Sequence, residues 1–465
     1  MSNPGLFNEF SEVSTKQWKQ KIQFDLKGAD YNEALVWESL EGIKVKPFYN
    51  SEDLNGLKTF DLPEKASWQI GQSIYAGDAQ KANTKAREIV EKGVESLVIT
   101  IPDEKIDFEA LLSKIDLKKI NLHFNFEFLA IDTIKNLLTF LDGKGAQAYL
   151  NIDIIGNLAR SGNWYHNLEQ DHRTLEEITQ LAANREDINI MAVDLSLYQN
   201  AGGSMVQQLA YALAHANEYL NHFSTSDSNG TANSCPITFK VSVGSNYFFE
   251  IAKLRALRWL WESLCKGYGI ETKCHILGTP SKRNKTLYDY NVNLLRTTSE
   301  CMSAVLGGAD TVSNLSYDAI YHKDNEFGER IARNQLLLLK EEGYFESAAS
   351  ISEGSYYVES LTKQLAEKAL DLFKQIEASG GFLDALKKGA IQQKINEVAS
   401  KEQQLFDEEK IILLGTNKFQ NPLDKMKDNM ELYPFVKNQP RKTLLVPVIE
   451  KRLAETLEQK RLSDE

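Results

Sequence analysis

From residue 96 onward the chain alternates short, β-branched apolar runs with longer segments of helical period. The runs SLVITI from Ser96, INLHFNF from Ile120, AQAYLNIDI from Ala146 and INIMAVDLS from Ile188 read as strands, followed by ITFKVSV from Ile237, TKCHIL from Thr272, DTVSNLS from Asp310 and ESAASIS from Glu346. Parallel strands joined by crossover helices produce this alternation, and eight such pairs close a barrel. The expected fold is therefore α/β, a (β/α)8 TIM barrel over residues 66–415. An N-terminal arm (1–65) and a C-terminal extended arm with a short helix (416–465) flank it.

Local signals place the helices. Asp107 before FEALLSKI, the Thr174/Glu177 pair of a capping box, and Gly328 before ERIARNQLLLLKEE read as helix starts. STSDSNGTANS from Ser224 reads as a mobile loop before the fifth strand. In the N-terminal arm, STKQWKQKIQFDLKG reads as a helix followed by extended chain to Pro63. In the C-terminal arm, Pro422, Pro434, Pro440 and Pro447 favour extended backbone before a charged helix from about Glu450. Neither flank can bury a core alone.

The fifth crossover helix, NYFFEIAKLRALRWLWESL from Asn246, is apolar around nearly its whole circumference. Trp259 and Trp261 lie about 200° apart on its axis. One of them must meet an arm of this chain or another chain, and the sequence leaves both open.

Composition narrows the function classes. The 465 residues are 42% apolar, enough for a large core. A net charge of −12, from 53 basic and 65 acidic residues with no long basic block, argues against nucleic acid or anionic membrane as a main partner. Cys235, Cys265, Cys274 and Cys301 are widely spaced and read as free thiols of a reducing compartment. The N-terminus lacks a signal-peptide pattern and no segment approaches a membrane span, so a soluble cytoplasmic protein is expected.

Candidate chemistry is sparse. His123 and His275 fall within strands and read as packing groups, while His215 and His222, seven apart on one helix face, lack a third metal ligand. No metal site, nucleophilic triad, P-loop or dinucleotide fingerprint is found, and no residue is assigned as catalytic. Asn246 follows the fifth strand and Arg296 sits in the sixth helix region. Lys282, Arg283 and Lys285 of SKRNKTLYD could meet phosphates or form a solvated basic loop.

The stretches NVNLLRTTSECMSAVLGG from Asn291 and Phe327–Phe382, with SKRNKTLYD, AVLGGAD, RIARN and GSYYVE, resemble methylmalonyl-CoA mutases, the adenosylcobalamin-dependent enzymes that rearrange an acyl-CoA skeleton. The likeness covers about residues 10–415 and is most specific to the family's small (beta) chains from Lys282 to Phe382. It implies the non-catalytic small subunit of a heterodimer, with no cofactor of its own. The large subunit would carry adenosylcobalamin and interconvert (R)-methylmalonyl-CoA and succinyl-CoA. Residues 383–465 are too few for a cobalamin-binding domain and no Asp-x-His-x-x-Gly occurs, which fits that role; the arms would then wrap the partner.

The resemblance also implies which site positions are altered. VDLSLYQNAGGSMVQQLAYALA from Val193 is similar to the passage that carries Tyr-His in the catalytic chain; those positions fall on Ser196 and Leu197, or with a gap the tyrosine falls on Tyr198. WQIGQSIYAGDAQKAN from Trp68 is similar to the passage with an arginine and a tyrosine. These positions become Gly71 and Ser73, or Ser73 and Tyr75 in the other alignment, and the arginine is lost in both. Tyr75, Tyr198, Asn246, Arg283 and Arg296 are the substrate-contact candidates. Two other readings stay open: a catalytic barrel that borrows cobalamin from a separate subunit, and an acyl-CoA-binding regulatory module. A homodimer of the solitary chain also stays open.

Overall fold

The computed structural model describes residues 9–11, 13–54, 68–225, 236–270, 274–346, 351–437 and 440–465. Among the described residues, eight parallel strands close into a barrel. They are β1 (Gln69–Tyr75), β2 (Ser96–Ile101), β3 (Asn121–Phe126), β4 (Ala148–Ile152), β5 (Ile188–Asp194), β6 (Ile237–Val243), β7 (Cys274–Pro280) and β8 (Thr311–Ser313). The ring closes where Thr311, Val312 and Ser313 pair with Gln69, Ile70 and Gly71.

The expected barrel is present, but its membership is shifted by one strand. The run from Glu346 has no place in the closed ring: its described residues fall in tight turns, at Phe345–Glu346 and at 351–354, and 347–350 lie outside the described residues. The remaining strand is QIGQSIY, which precedes the others. Its Ile70 and Ile74 point outward into the apolar layer while Gly71 and Ser73 face the barrel interior, so the segment alternates and never forms an apolar run. Gly71 is required by space, because a Cβ there would sit 2.9 Å from the Thr311 methyl.

Caps refine the helix starts. Asp107 accepts from the Ala110 amide at 3.0 Å, as expected. Thr174 and Glu177 instead lie inside the helix Leu168–Leu181, which Asn167 caps through the Gln170 amide. Gly328 lies in the first turn of Glu326–Leu337, capped by Asn325. A side chain three residues before a bonded amide does the capping, and asparagine does it as well as threonine. The loop expected from Ser224 lies outside the described residues from 226, and Ser224 and Thr225 end the helix Met205–Thr225. Of the extended chain expected up to Pro63, residues 55–63 lie outside the described residues; the described part forms a short helix, Tyr31–Leu35, an antiparallel pair, Trp37–Glu38 with Lys44–Val45, and a tight helical turn at Ser51–Leu54.

The two tryptophans of the helix Tyr247–Gly267 both meet this chain. Trp261 is buried edge-on against Phe239 of β6, ring centroids 5.5 Å apart, and Trp259 packs partly buried on the same core. The far side of the helix lies against Tyr356–Ala378, joined by a buried Arg255–Glu359 ion pair. The N-terminal arm adds Trp37, which meets Phe249 at 5.7 Å, and the helix Thr15–Asp25, begun by a Ser14/Gln17 capping box.

After the helix Ala390–Asp407 the chain runs as an extended strap back over the barrel and ends in a helix, Glu455–Ser463, five residues later than expected. Backbone bonds fasten the strap: the Leu444 amide to Gly162 O (3.0 Å), Val448 to Ala159 O (2.8 Å), Lys451 to Asn200 O (3.0 Å) and Leu453 to Arg283 O (2.9 Å). Gly162 has φ +78°, and a Cβ there would meet Leu445 O at 2.7 Å, so only glycine lets the strap lie this close. No helix among the described residues is long and apolar enough to cross a membrane.

Candidate functional site at the barrel mouth

Strand alternation decides what faces the axis. His275 faces inward, its Nε2 3.1 Å from Thr311 Oγ1, and His123 and Tyr149 meet it there. His123 stacks on Tyr149 with centroids 4.4 Å apart; Tyr149 lies 4.1 Å from His275, and the two histidines are 5.0 Å apart. β3 and β7 stand opposite each other in the ring. The three buried rings therefore span the axis and fill it. Burial, with His275 and Lys240 nearby, holds the His123 pKa well below the ordinary imidazole value, against the Asn151 side-chain amide, which favours the charged ring.

Above this layer, toward the C-terminal ends of the strands, the inward positions are polar. They include Ser73, whose hydroxyl is 3.4 Å from that of Ser313, Asn151, whose Nδ2 donates to Asn125 Oδ1 at 3.2 Å, and Lys240, 3.3 Å from Asp194. Asp194 also receives Arg160 at 3.0 Å, and the two cations hold its carboxyl far below the usual range despite burial. Strap residues 432–437 and 450–452 roof one side of the mouth and enclose a cavity of about 570 Å³ whose inner wall includes Lys240, Leu277 and Thr279.

The sequence-derived candidates do not converge here. Tyr75 ends β1 at the rim and is 57% exposed. Tyr198 is fully buried: its phenol lies 3.0 Å from His215 Nδ1, whose Nε2 is 2.9 Å from Asp153, so the gapped alignment puts a core residue in the tyrosine position. Asn246 is exposed and lines a separate cavity of about 660 Å³, between Trp37 and Glu402. Arg296 bonds Thr286 (2.8 Å), Asn293 (2.7 Å) and Leu414 O (2.9 Å), tying its helix to the strap.

The SKRNKTLYD segment is not a solvated basic loop. Arg283 binds Glu402 at 2.6 Å and Lys451 O at 2.7 Å, and Lys285 forms a buried 2.8 Å pair with Glu300; Lys282 alone of the three is exposed. Charge spacing in sequence cannot reveal carboxylates that arrive from 15 and 119 residues away. His222 likewise pairs with Glu176 at 2.8 Å, and no metal-holding cluster occurs among the described residues.

Sequence reasoning missed Lys240, Asp194 and Asn151. Lys240 and Asp194 stand at alternate positions of apolar strands, a detectable signal. Asn151 has φ +46° at a register shift in the β4–β5 pairing, which nothing in the sequence announces.

Fold and mouth define a (β/α)8 barrel whose axis is filled and whose C-terminal face is partly roofed by its own chain. Residues 101–456 match the methylmalonyl-CoA mutase family. The chain is 36% identical over 457 residues to the methylmalonyl-CoA mutase small subunit of Porphyromonas gingivalis, covering 92% of this chain and 73% of that one. It is 28% identical over 457 residues to the methylmalonyl-CoA mutase of Cereibacter sphaeroides (86% and 64% covered). Against the large subunit of Porphyromonas gingivalis it is 25% identical over 446 residues (85% and 62%). The chain belongs to the methylmalonyl-CoA mutase family, and it spans about two thirds to three quarters of the length of these relatives.

Proposed function

We propose that this chain is the non-catalytic small subunit of a heterodimeric methylmalonyl-CoA mutase, working in the cytoplasm. Its partner, the large subunit, carries adenosylcobalamin and interconverts (R)-methylmalonyl-CoA and succinyl-CoA. This chain packs against that subunit and stabilises its folded, closed form, so dissociation lowers activity through the linkage of binding to stability. Support for such pairing comes from the likeness to both a small and a large subunit of one organism.

The observation that carries the reading is the filled axis. His123, Tyr149 and His275 fill the axis and leave no channel along it for an acyl thioester. The rim does not fit a corrin ring either. Leu197, which aligns with the family's histidine, is buried and cannot hydrogen-bond, and strap residues 432–437 cover part of the face. Gly71 and Ser73, at the arginine positions of the two alignments, offer no cation for a methylmalonyl carboxylate.

The test is to express this chain with and without the large subunit and measure methylmalonyl-CoA isomerisation with added adenosylcobalamin. The pair should be active and this chain alone inactive. Turnover by this chain with only a separate corrinoid protein would sink the non-catalytic reading and favour the borrowing enzyme.

A further inference from the structure

The second cavity, of about 660 Å³, shares Arg283 with the roofed mouth and is within the size range of small-molecule sites. It is lined by the loops that follow β5, β6 and β7, at the face where barrels of this kind hold their ligands. The N-terminal arm at Trp37–Glu41 and the helix Ala390–Asp407 complete the wall.

The charges of this wall do not cancel. Glu250 is fully buried and takes Lys253 at 2.5 Å. The Lys253 ammonium also meets Gln199 (2.8 Å), Gln208 (3.1 Å) and the Ser242 carbonyl (2.8 Å), so its three protons already face four acceptors. Glu41 acts on the same lysine but forms no ion pair among the described residues. Its carboxyl accepts hydrogen bonds from its own backbone amide, the Ser39 hydroxyl and the Met205 amide, the last at 3.4 Å. Burial, with Glu250 nearby, holds that carboxyl above the ordinary carboxylate value. The two cations in the lining are taken, Arg283 by Glu402 at 2.6 Å and Lys410 by Glu408 at 2.7 Å. The wall is one positive charge short.

A second observation is independent of that charge. Trp37 lines the same cavity, four positions before Glu41, and is 51% exposed. Its ring is held by edge contact with Phe249, centroids 5.7 Å apart. A fixed, half-exposed indole attracts a cation to its face.

We propose that this cavity binds a small primary alkylamine as its ammonium ion, with the charge between the Glu41 carboxylate and the Trp37 ring and the alkyl stem along Leu40, Val398 and Leu405. A carboxylate withdrawn from water without a cation is costly, and the ligand supplies the missing charge. The proposal does not rest on pairing with a large subunit, because it concerns a cavity built from this chain alone.

Isothermal titration of the full chain with n-butylamine, putrescine, 1-butanol and butyrate tests it. The two amines bind, whereas the alcohol and the carboxylate of the same chain length do not. Glu41→Gln weakens amine binding about tenfold or more, and Trp37→Leu weakens it about threefold. Glu91→Gln, which removes an exposed carboxylate from the helix Ala79–Glu91, leaves it unchanged. Absence of binding by both amines overturns the proposal, as does equal binding of 1-butanol or unchanged affinity in a folded Glu41→Gln chain. An equal loss in Glu91→Gln would mean general attraction to an acidic chain and would overturn it as well.

Discussion

His123 of β3 and His275 of β7 come from opposite walls of the barrel and meet at its axis, ring centroids 5.0 Å apart, with Tyr149 against both. His123 is completely buried and neutral, its pKa depressed chiefly by desolvation. The unfolded chain takes up a proton near the ordinary imidazole value of about 6.5, whereas the folded chain resists until well below it. Stability from this residue is therefore intact above about pH 6.5 and falls as pH drops toward the depressed folded value. Melting temperature measured against pH should fall in that window, and His123→Phe should flatten the slope while keeping the axis filled.

Arg283 ties the strap to the barrel through the Lys451 carbonyl, and the helix Ala390–Asp407 through Glu402. Gly202 marks how closely this anchor is packed, since a Cβ there would lie 2.6 Å from the guanidinium. Arg283→Ala should cost about 1–3 kcal/mol, because it leaves partly buried acceptors unpaired. Denaturant titration gives the loss. Limited proteolysis should cut within the strap faster than in the parent chain, and an unchanged cleavage pattern would contradict the anchoring role.

Lys285 and Glu300 form a buried pair at 2.8 Å, and burial pushes the amine down and the carboxyl up, each toward its neutral form. Glu300→Leu alone should cost about 3–5 kcal/mol by stranding the lysine. The double variant Lys285→Met/Glu300→Leu should recover most of that, since an apolar pair of similar volume needs no desolvation. A double-mutant cycle on unfolding free energies reads the coupling.

Tyr198 serves the core. Tyr198→Phe should lower stability by about 0.5–1.5 kcal/mol through the lost contact with His215. Isomerisation by the assembled pair should be unchanged. A large fall in kcat without a fall in stability would restore Tyr198 to the substrate site.

Much of the barrel was legible before any tertiary contact was known. Seven of its strands announce themselves as β-branched runs between helical segments, and Asp107 marks a helix start by capping, because both signals are local and depend on side chains a few residues apart. What the sequence left undecided was which run closes the ring, since QIGQSIY hides its outward isoleucines among small and polar inward residues.

The tertiary structure alone decided the site. Pairing of β8 with β1 chose the closing strand, and barrel closure brought three aromatic rings from β3, β4 and β7 to one point. The strap turned Arg283 from a candidate phosphate contact into an anchor. These outcomes depend on residues up to 242 positions apart meeting in space, as Thr311 meets Gln69. Local propensity carries no information about such meetings; burial, which makes a charge find its partner and an axis fill with rings, does.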